Sequence, residues 1–158
     1  MKTLIVYFSK YGNTRQIAEA IAGALEPAGA VRTVALDRLA AADFEGVDLI
    51  VAGSPTHGFT MPDAVRFALA ALPVGILTDK AVAAFDTTVR PWPLRLFRAS
   101  PKLLHRLRDL GGRPIARPQT FFVKTHNTQK TGDTALLLPG QIERAREWAA
   151  QLLEQAQA

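Results

Sequence analysis

Short runs of consecutive apolar residues alternate along the chain with longer stretches in which apolar residues recur every three or four positions. The short runs predict strands covered on both faces, and the recurring stripes predict amphipathic helices. Residues 2–8, KTLIVYF, form the first such run. The chain then passes through Ser9-Lys-Tyr-Gly-Asn-Thr14 into a helix striped by Ile17, Ile21 and Leu25, widened by Ala18 and Ala22, and stopped at Pro27 and Gly29. Val31–Leu36 predicts a second strand and Asp48–Gly53 a third, with a loop or short turn around Asp37–Val47 between them. Ser54-Pro-Thr-His-Gly58 reads as unable to continue the third strand. Pro62 fits the first turn of a helix carrying Val65, Leu69 and Leu72, and Lys80–Asp86 predicts a fourth strand.

Ser100-Pro101 has the form of an N-cap followed by a first-turn proline, leading a stripe of Leu103, Leu104, Leu107 and Leu110 that Gly111-Gly112 stops. A fifth strand is expected within Pro114–Lys124, interrupted at Pro118 and strongest at Thr120–Val123. Pro139-Gly140 opens a last helix through Ile142, Ala145, Ala149 and Leu152, and Trp148 at the same spacing reads as core. Strands alternating with helices imply right-handed βαβ units and a parallel sheet with helices on both faces, an α/β fold. A length of 158 residues suits one domain spanning 1–158.

Composition narrows the chemistry. Apolar residues make up 48% and charged residues 21%, the balance of a globular chain rather than a disordered one. The absence of cysteine removes disulfides, thiolate nucleophiles, zinc–thiolate sites and cysteine-ligated clusters. No apolar run approaches the ~20 residues of a membrane span. The opening MKTLIVYF lacks a small-residue cleavage site, so a cytoplasmic location is expected. The net charge of +5 is uneven: residues 90–117 hold eight basic residues against Asp109 alone. That segment carries +7 and the remainder −2, so whatever the basic character does should be local.

Open α/β sheets bind ligands beyond the carboxyl ends of their strands, so the loops after strands one, three and four are the informative ones. The first, Ser9–Thr14, joins hydroxyls, an amide and a glycine turn to the free N–H groups of a helix start, the donor set of a phosphate seat. Simple capping of the helix by Asn13 or Thr14 is an equal alternative at this level. A nucleotidase P-loop and a G-x-G-x-x-G dinucleotide motif are both missing after that strand. The carboxylate that a phospho-accepting receiver domain needs there is missing too.

Taken together these segments resemble the flavodoxin family. Leu4–Thr14 is similar to its first strand and phosphate loop, and Leu49-Ile-Val-Ala-Gly-Ser-Pro-Thr-His57 to its strand ending in Gly-x-Pro-Thr. Ala84-Phe-Asp-Thr-Thr88 resembles the third loop, and Leu138–Trp148 the C-terminal helix. The resemblance implies a flavodoxin-like three-layer sandwich with a five-stranded parallel sheet in the order 2-1-3-4-5 and one noncovalent FMN. Carried over by position, Ser9, Lys10 (through its backbone), Tyr11, Gly12, Asn13 and Thr14 would hold the phosphate. Pro55, Thr56, His57, Gly58 and Phe59 would line the flavin ring from one loop, and Asp86, Thr87 and Thr88 from the other. Many members place aromatic rings in both loops; here the second loop has none, which makes Trp92 the candidate for the other ring face, against a packing role between Pro91 and Pro93. His105 and His126 have no partner at metal-ligand spacing and read as solvated.

The implied function is electron transfer between redox partner proteins. Relatives that carry electrons are acidic around the flavin, whereas this chain offers only Asp63 and Asp86 near the two ring loops, with Arg90 close by. The expected consequences are flavin potentials less negative than in acidic relatives and a partner with an acidic docking surface. Membrane or nucleic-acid contact through 90–117 and a merely solvated basic face are the alternatives for that segment. Two other functions compete: an FMN-dependent oxidoreductase acting on a quinone or similar small acceptor, and a binding module that keeps the fold without the cofactor.

Overall fold

Parallel neighbours need crossover connections, and right-handed crossovers deliver helices to either face of a sheet. A computed structural model describes residues 1–57, 60–90, 98–124 and 136–158. Among these, the strands are β1 (Thr3–Tyr7), β2 (Val31–Ala35), β3 (Leu49–Pro55), β4 (Ala81–Val89), β5 (Arg113–Pro114) and β6 (Gln119–Val123). The helices are α1 (Asn13–Leu25), α2 (Asp63–Ala70), α3 (Ala99–Asp109) and α4 (Gln141–Gln157). The sheet runs β2-β1-β3-β4, all parallel, and its fifth position is shared by β5 and β6, which both pair with β4. The order 2-1-3-4-5 is therefore as the resemblance implied, with the fifth strand broken between Pro114 and Gln119 around Pro118.

Alternate residues of each strand serve opposite layers. Leu4, Val6, Ile50, Ala52, Val82 and Ala84 pack against Val65 and Leu69 of α2 and Leu103 and Leu107 of α3. Ile5, Val51, Ala83 and Phe85 pack on the other face, against Ile17 and Ile21 of α1 and Ala145, Trp148 and Leu152 of α4. Phe85, Phe121 and Trp148 meet edge-to-face with centroids 5.9–6.2 Å apart, so Trp148 is a core residue as expected. Each side chain of this size contributes about 1.5–3 kcal/mol through burial. Gly53 leaves room for the trio: a Cβ there would lie 2.1 Å from Phe85 Cζ. None of the described helices is long and apolar enough to cross a membrane.

Three boundaries depart from the sequence expectation, the first being β4, which runs past Asp86 to Val89 because residues 86–89 pair with β6, so Thr87 and Thr88 lie in the strand rather than in a loop. β3 in turn continues through Ser54 and Pro55, which pair with Asp86 and Thr87. The Thr56 amide turns to β4, donating to Thr87 O at 2.9 Å, so the nitrogen of Pro55 faces the side where β1 has already ended at Tyr7. The missing N–H therefore breaks no ladder bond. The third departure is at α3, which starts at Ala99 with Arg98 as N-cap, so Ser100 and Pro101 lie inside its first turn. The acceptors for that turn come from the sheet instead: Ala99 N–H donates to Thr56 Oγ1 at 2.9 Å and Ser100 N–H to Asp86 Oδ2 at 2.9 Å.

Candidate functional site

The carboxyl ends of β1, β3 and β4 open into one polar cleft lined by Ser9, Lys10, Tyr11, Asn13, Thr14, Pro55, His57, Thr87 and Val123. It lies at the switch point where the chain steps from β1 outward to β2 and to β3. A separate apolar cavity of only about 20 Å³ lies under α2 and α3, between side chains such as Leu36, Phe44, Leu69 and Leu103. That cavity has no polar chemistry and belongs to the packing of the layer.

The first wall is built by Gly12. Its φ of 89° is left-handed, which lets the chain turn sharply from β1 into α1. Gly12, rather than Asn13 or Thr14, is the N-cap, and no side chain caps the helix in the usual way. Ser9 Oγ does related work from outside, accepting Gly12 N–H at 3.1 Å and Arg15 N–H at 3.3 Å. Asn13 Oδ1 accepts Leu136 N–H at 2.8 Å, fastening the loop to the chain that returns after β6. Lys10 places its ammonium 5.2 Å from the centroid of the Tyr11 ring.

Thr14 is buried, 1% exposed, and its Oγ1 lies 2.8 Å from Thr87 Oγ1. This hydroxyl pair ties the first loop to the end of β4. The second loop is tied in turn by Thr56 N–H to Thr87 O, and His57 forms a two-way backbone bridge with Thr60. The two loops and the end of β4 are thus locked to one another by polar groups that also face or flank the cleft.

The remaining predicted residues fall in different places. Thr88 is buried in β4 opposite Phe122, away from the cleft lining. Asp86 is 0% exposed, its Oδ2 taking Ser100 N–H and the Thr56 hydroxyl at 3.1 Å, and no hydrogen-bond donor among the described residues reaches its Oδ1. Its position suits holding α3 against the sheet. Asp63 is exposed and paired with Arg66 at 2.8 Å. The cleft lining therefore contains no carboxylate among the described residues. Arg90 stands over the Phe122 ring, 5.2 Å from its centroid, rather than in the cleft lining. Gly58, Phe59 and Trp92 lie outside the described residues, as do the rest of 91–97 and His126. His105 is exposed, 3.8 Å from Asp109. Val123 and Leu136 were missed by the sequence reading, because neither carries a chemical signature of its own.

Fold and cleft define a doubly wound α/β protein with a polar cleft at its switch point. The sequence pattern of the flavodoxin domain matches residues 4–89, which contain both loops and the end of β4, and the chain belongs to the flavodoxin family. No curated protein matches the sequence. Among solved structures, oxidised flavodoxin 2 from Bacillus cereus is similar at 21% identity and a TM-score of 0.77, covering 98% of this chain and 99% of that one. Oxidised flavodoxin 1 from Bacillus cereus is similar at 19% identity and a TM-score of 0.74, covering 98% of each chain. The flavodiiron core of Flv1 from Synechocystis is similar at 19% identity and a TM-score of 0.71, covering 99% of this chain but 36% of that one.

Proposed function

We propose that the chain binds FMN in this cleft and carries electrons between redox partner proteins. The observation that supports it is the Thr14–Thr87 hydroxyl pair, which joins the first loop and the end of β4 around one polar cleft. The donor set fits a phosphate. Ser9 Oγ accepts two amides and keeps its own proton to give, while Asn13 uses its carbonyl oxygen on Leu136 and keeps both amide protons. The Thr14–Thr87 pair uses one hydroxyl proton between its members and leaves the other. The α1 N-terminus adds first-turn amides and the positive end of its dipole.

When bound, FMN supplies the acceptance and release of one or two electrons. The chain's part is to seat the phosphate on Ser9–Thr14, to place the ring beside Pro55–Phe59 and Thr87, and to keep carboxylates out of that lining. With none there, the flavin potentials should be less negative than in acidic relatives. Trp92 remains our candidate for the second ring face, and an acidic surface is the partner the basic segment suits.

The test is the visible spectrum of the purified protein, followed by FMN and riboflavin titrations of wild type and Thr14→Val. Loss of a hydrogen bond to a charged group is worth about 1.5–3 kcal/mol, so FMN affinity should fall roughly 10- to 100-fold while riboflavin affinity falls little. Equal losses would place the phosphate elsewhere. Failure to take up FMN at all would leave the cofactor-free binding module. Turnover of NADPH and a quinone without an added reductase would favour the enzyme.

A further inference from the structure

Three guanidinium groups from three separate elements gather around one ring. Phe122 of β6 is half-buried, and its centroid lies 5.2 Å from Arg90 Cζ, 5.9 Å from Arg98 Cζ and 6.0 Å from Arg144 Cζ. Arg90 follows the end of β4, Arg98 precedes α3, and Arg144 lies on α4. Phe121 packs in the α1–α4 layer, so Phe122 points to the opposite face, and Arg144 spans the two rings at 5.6 Å from Phe121. The hydrogen bonds of these arginines go to neutral oxygens: Arg98 Nη1 donates to Thr120 Oγ1 at 3.0 Å and Arg144 Nη1 to Gln141 Oε1 at 2.7 Å. Every ion pair among the described residues lies elsewhere.

Guanidinium stays charged at all working pH, so three cations share a patch comparable in width with a Debye length and have no internal counter-charge among the described residues. The ring contacts hold them in place without neutralising them. The patch adjoins the cleft: Phe122 pairs with Thr88 and Val123 with Val89, while Thr87 and Val123 line the cleft itself. We infer that this arginine-rimmed ring is the docking contact for a redox partner that presents surface carboxylates. An aromatic ring that gathers fork-shaped donors has the make-up of a protein–protein anchor, in which the partner's carboxylates take bidentate bonds from the arginines. This rests on the electron-carrier reading only for the partner's purpose, since the docking itself needs no flavin.

The probe is a fluorophore-labelled acidic [2Fe–2S] ferredoxin, titrated by anisotropy at low salt with the full chain, both FMN-saturated and flavin-free. Arg90→Gln/Arg98→Gln/Arg144→Gln should weaken binding about tenfold or more and flatten its salt dependence. A control with the same charge change at exposed positions, Arg108→Gln/Arg113→Gln/Arg146→Gln, should weaken it less than about twofold. Arg90→Gln alone, at an exposed position, should give a several-fold loss. Equal losses from the two triple variants would reduce the effect to net charge and overturn the assignment. So would an absence of saturable binding, or equal affinity for a basic cytochrome c. A failure of the flavin reading shows in the FMN titration and leaves the flavin-free arm interpretable.

Discussion

Removing the carboxylate of Asp86 tests whether the sheet holds α3 from below. Asp86→Ala strands two buried donors, the Ser100 N–H and the Thr56 hydroxyl, both of which now give to Oδ2. A buried donor left without an acceptor costs about 1–3 kcal/mol, and loss of a negative group at a helix N-terminus adds up to ~2 kcal/mol. A loss of about 3–5 kcal/mol is expected, a large share of the ~5–15 kcal/mol typical of a whole domain. Asp86→Asn keeps one oxygen for both donors and loses the charge, so about 1–2 kcal/mol should go. Urea denaturation of the flavin-free protein reads both values, with an unchanged slope showing that the denatured state is not the cause. Because Thr56 lies beside the cleft and shares this network, Asp86→Ala should also weaken FMN binding. A loss below about 1 kcal/mol for Ala, or an Asn variant as unstable as Ala, would refute the capping role.

Other residues give sharper local tests. Gly53→Ala drives a methyl group into the Phe85 ring, which Phe121 and Trp148 box in; a loss of roughly 3 kcal/mol in urea melts is expected, and one under 1 would mean that the ring gives way freely. Gly12→Ala forces a Cβ onto a left-handed residue with φ 89°, so stability should fall by about 1–2 kcal/mol, with weaker FMN binding in the same titration. Asp43 accepts Ala40 N–H at 2.8 Å and Arg32 Nη2 at 2.6 Å, and the backbone bond first, then Arg32, holds its pKa below the ordinary carboxylate value. Its stabilising contribution is present above the unfolded pKa and is lost as pH falls through the lowered folded value; Asp43→Asn should flatten the acid limb of a urea-midpoint-against-pH curve, and an unchanged limb would refute it.

The alternation of apolar runs and stripes determines the layered α/β architecture, because each strand and helix advertises its burial through neighbours a few residues away. Ser9–Thr14 is legible for the same reason: its donors, its turn glycine and the helix start are contiguous. Boundaries that depend on what lies alongside are not. Whether Pro55 can end a strand depends on where β1 stops, and the first turn of α3 finds its acceptors on Thr56 and Asp86 rather than on Ser100. The same limit hides the Thr14–Thr87 pair, 73 residues apart, the Asn13–Leu136 bond, 123 apart, and the addition of Arg144 to Arg90 and Arg98. Hydrogen bonds and charges act over a few ångströms of space whatever the separation along the chain, so only the folded packing of β4, β6 and α4 decides which groups meet.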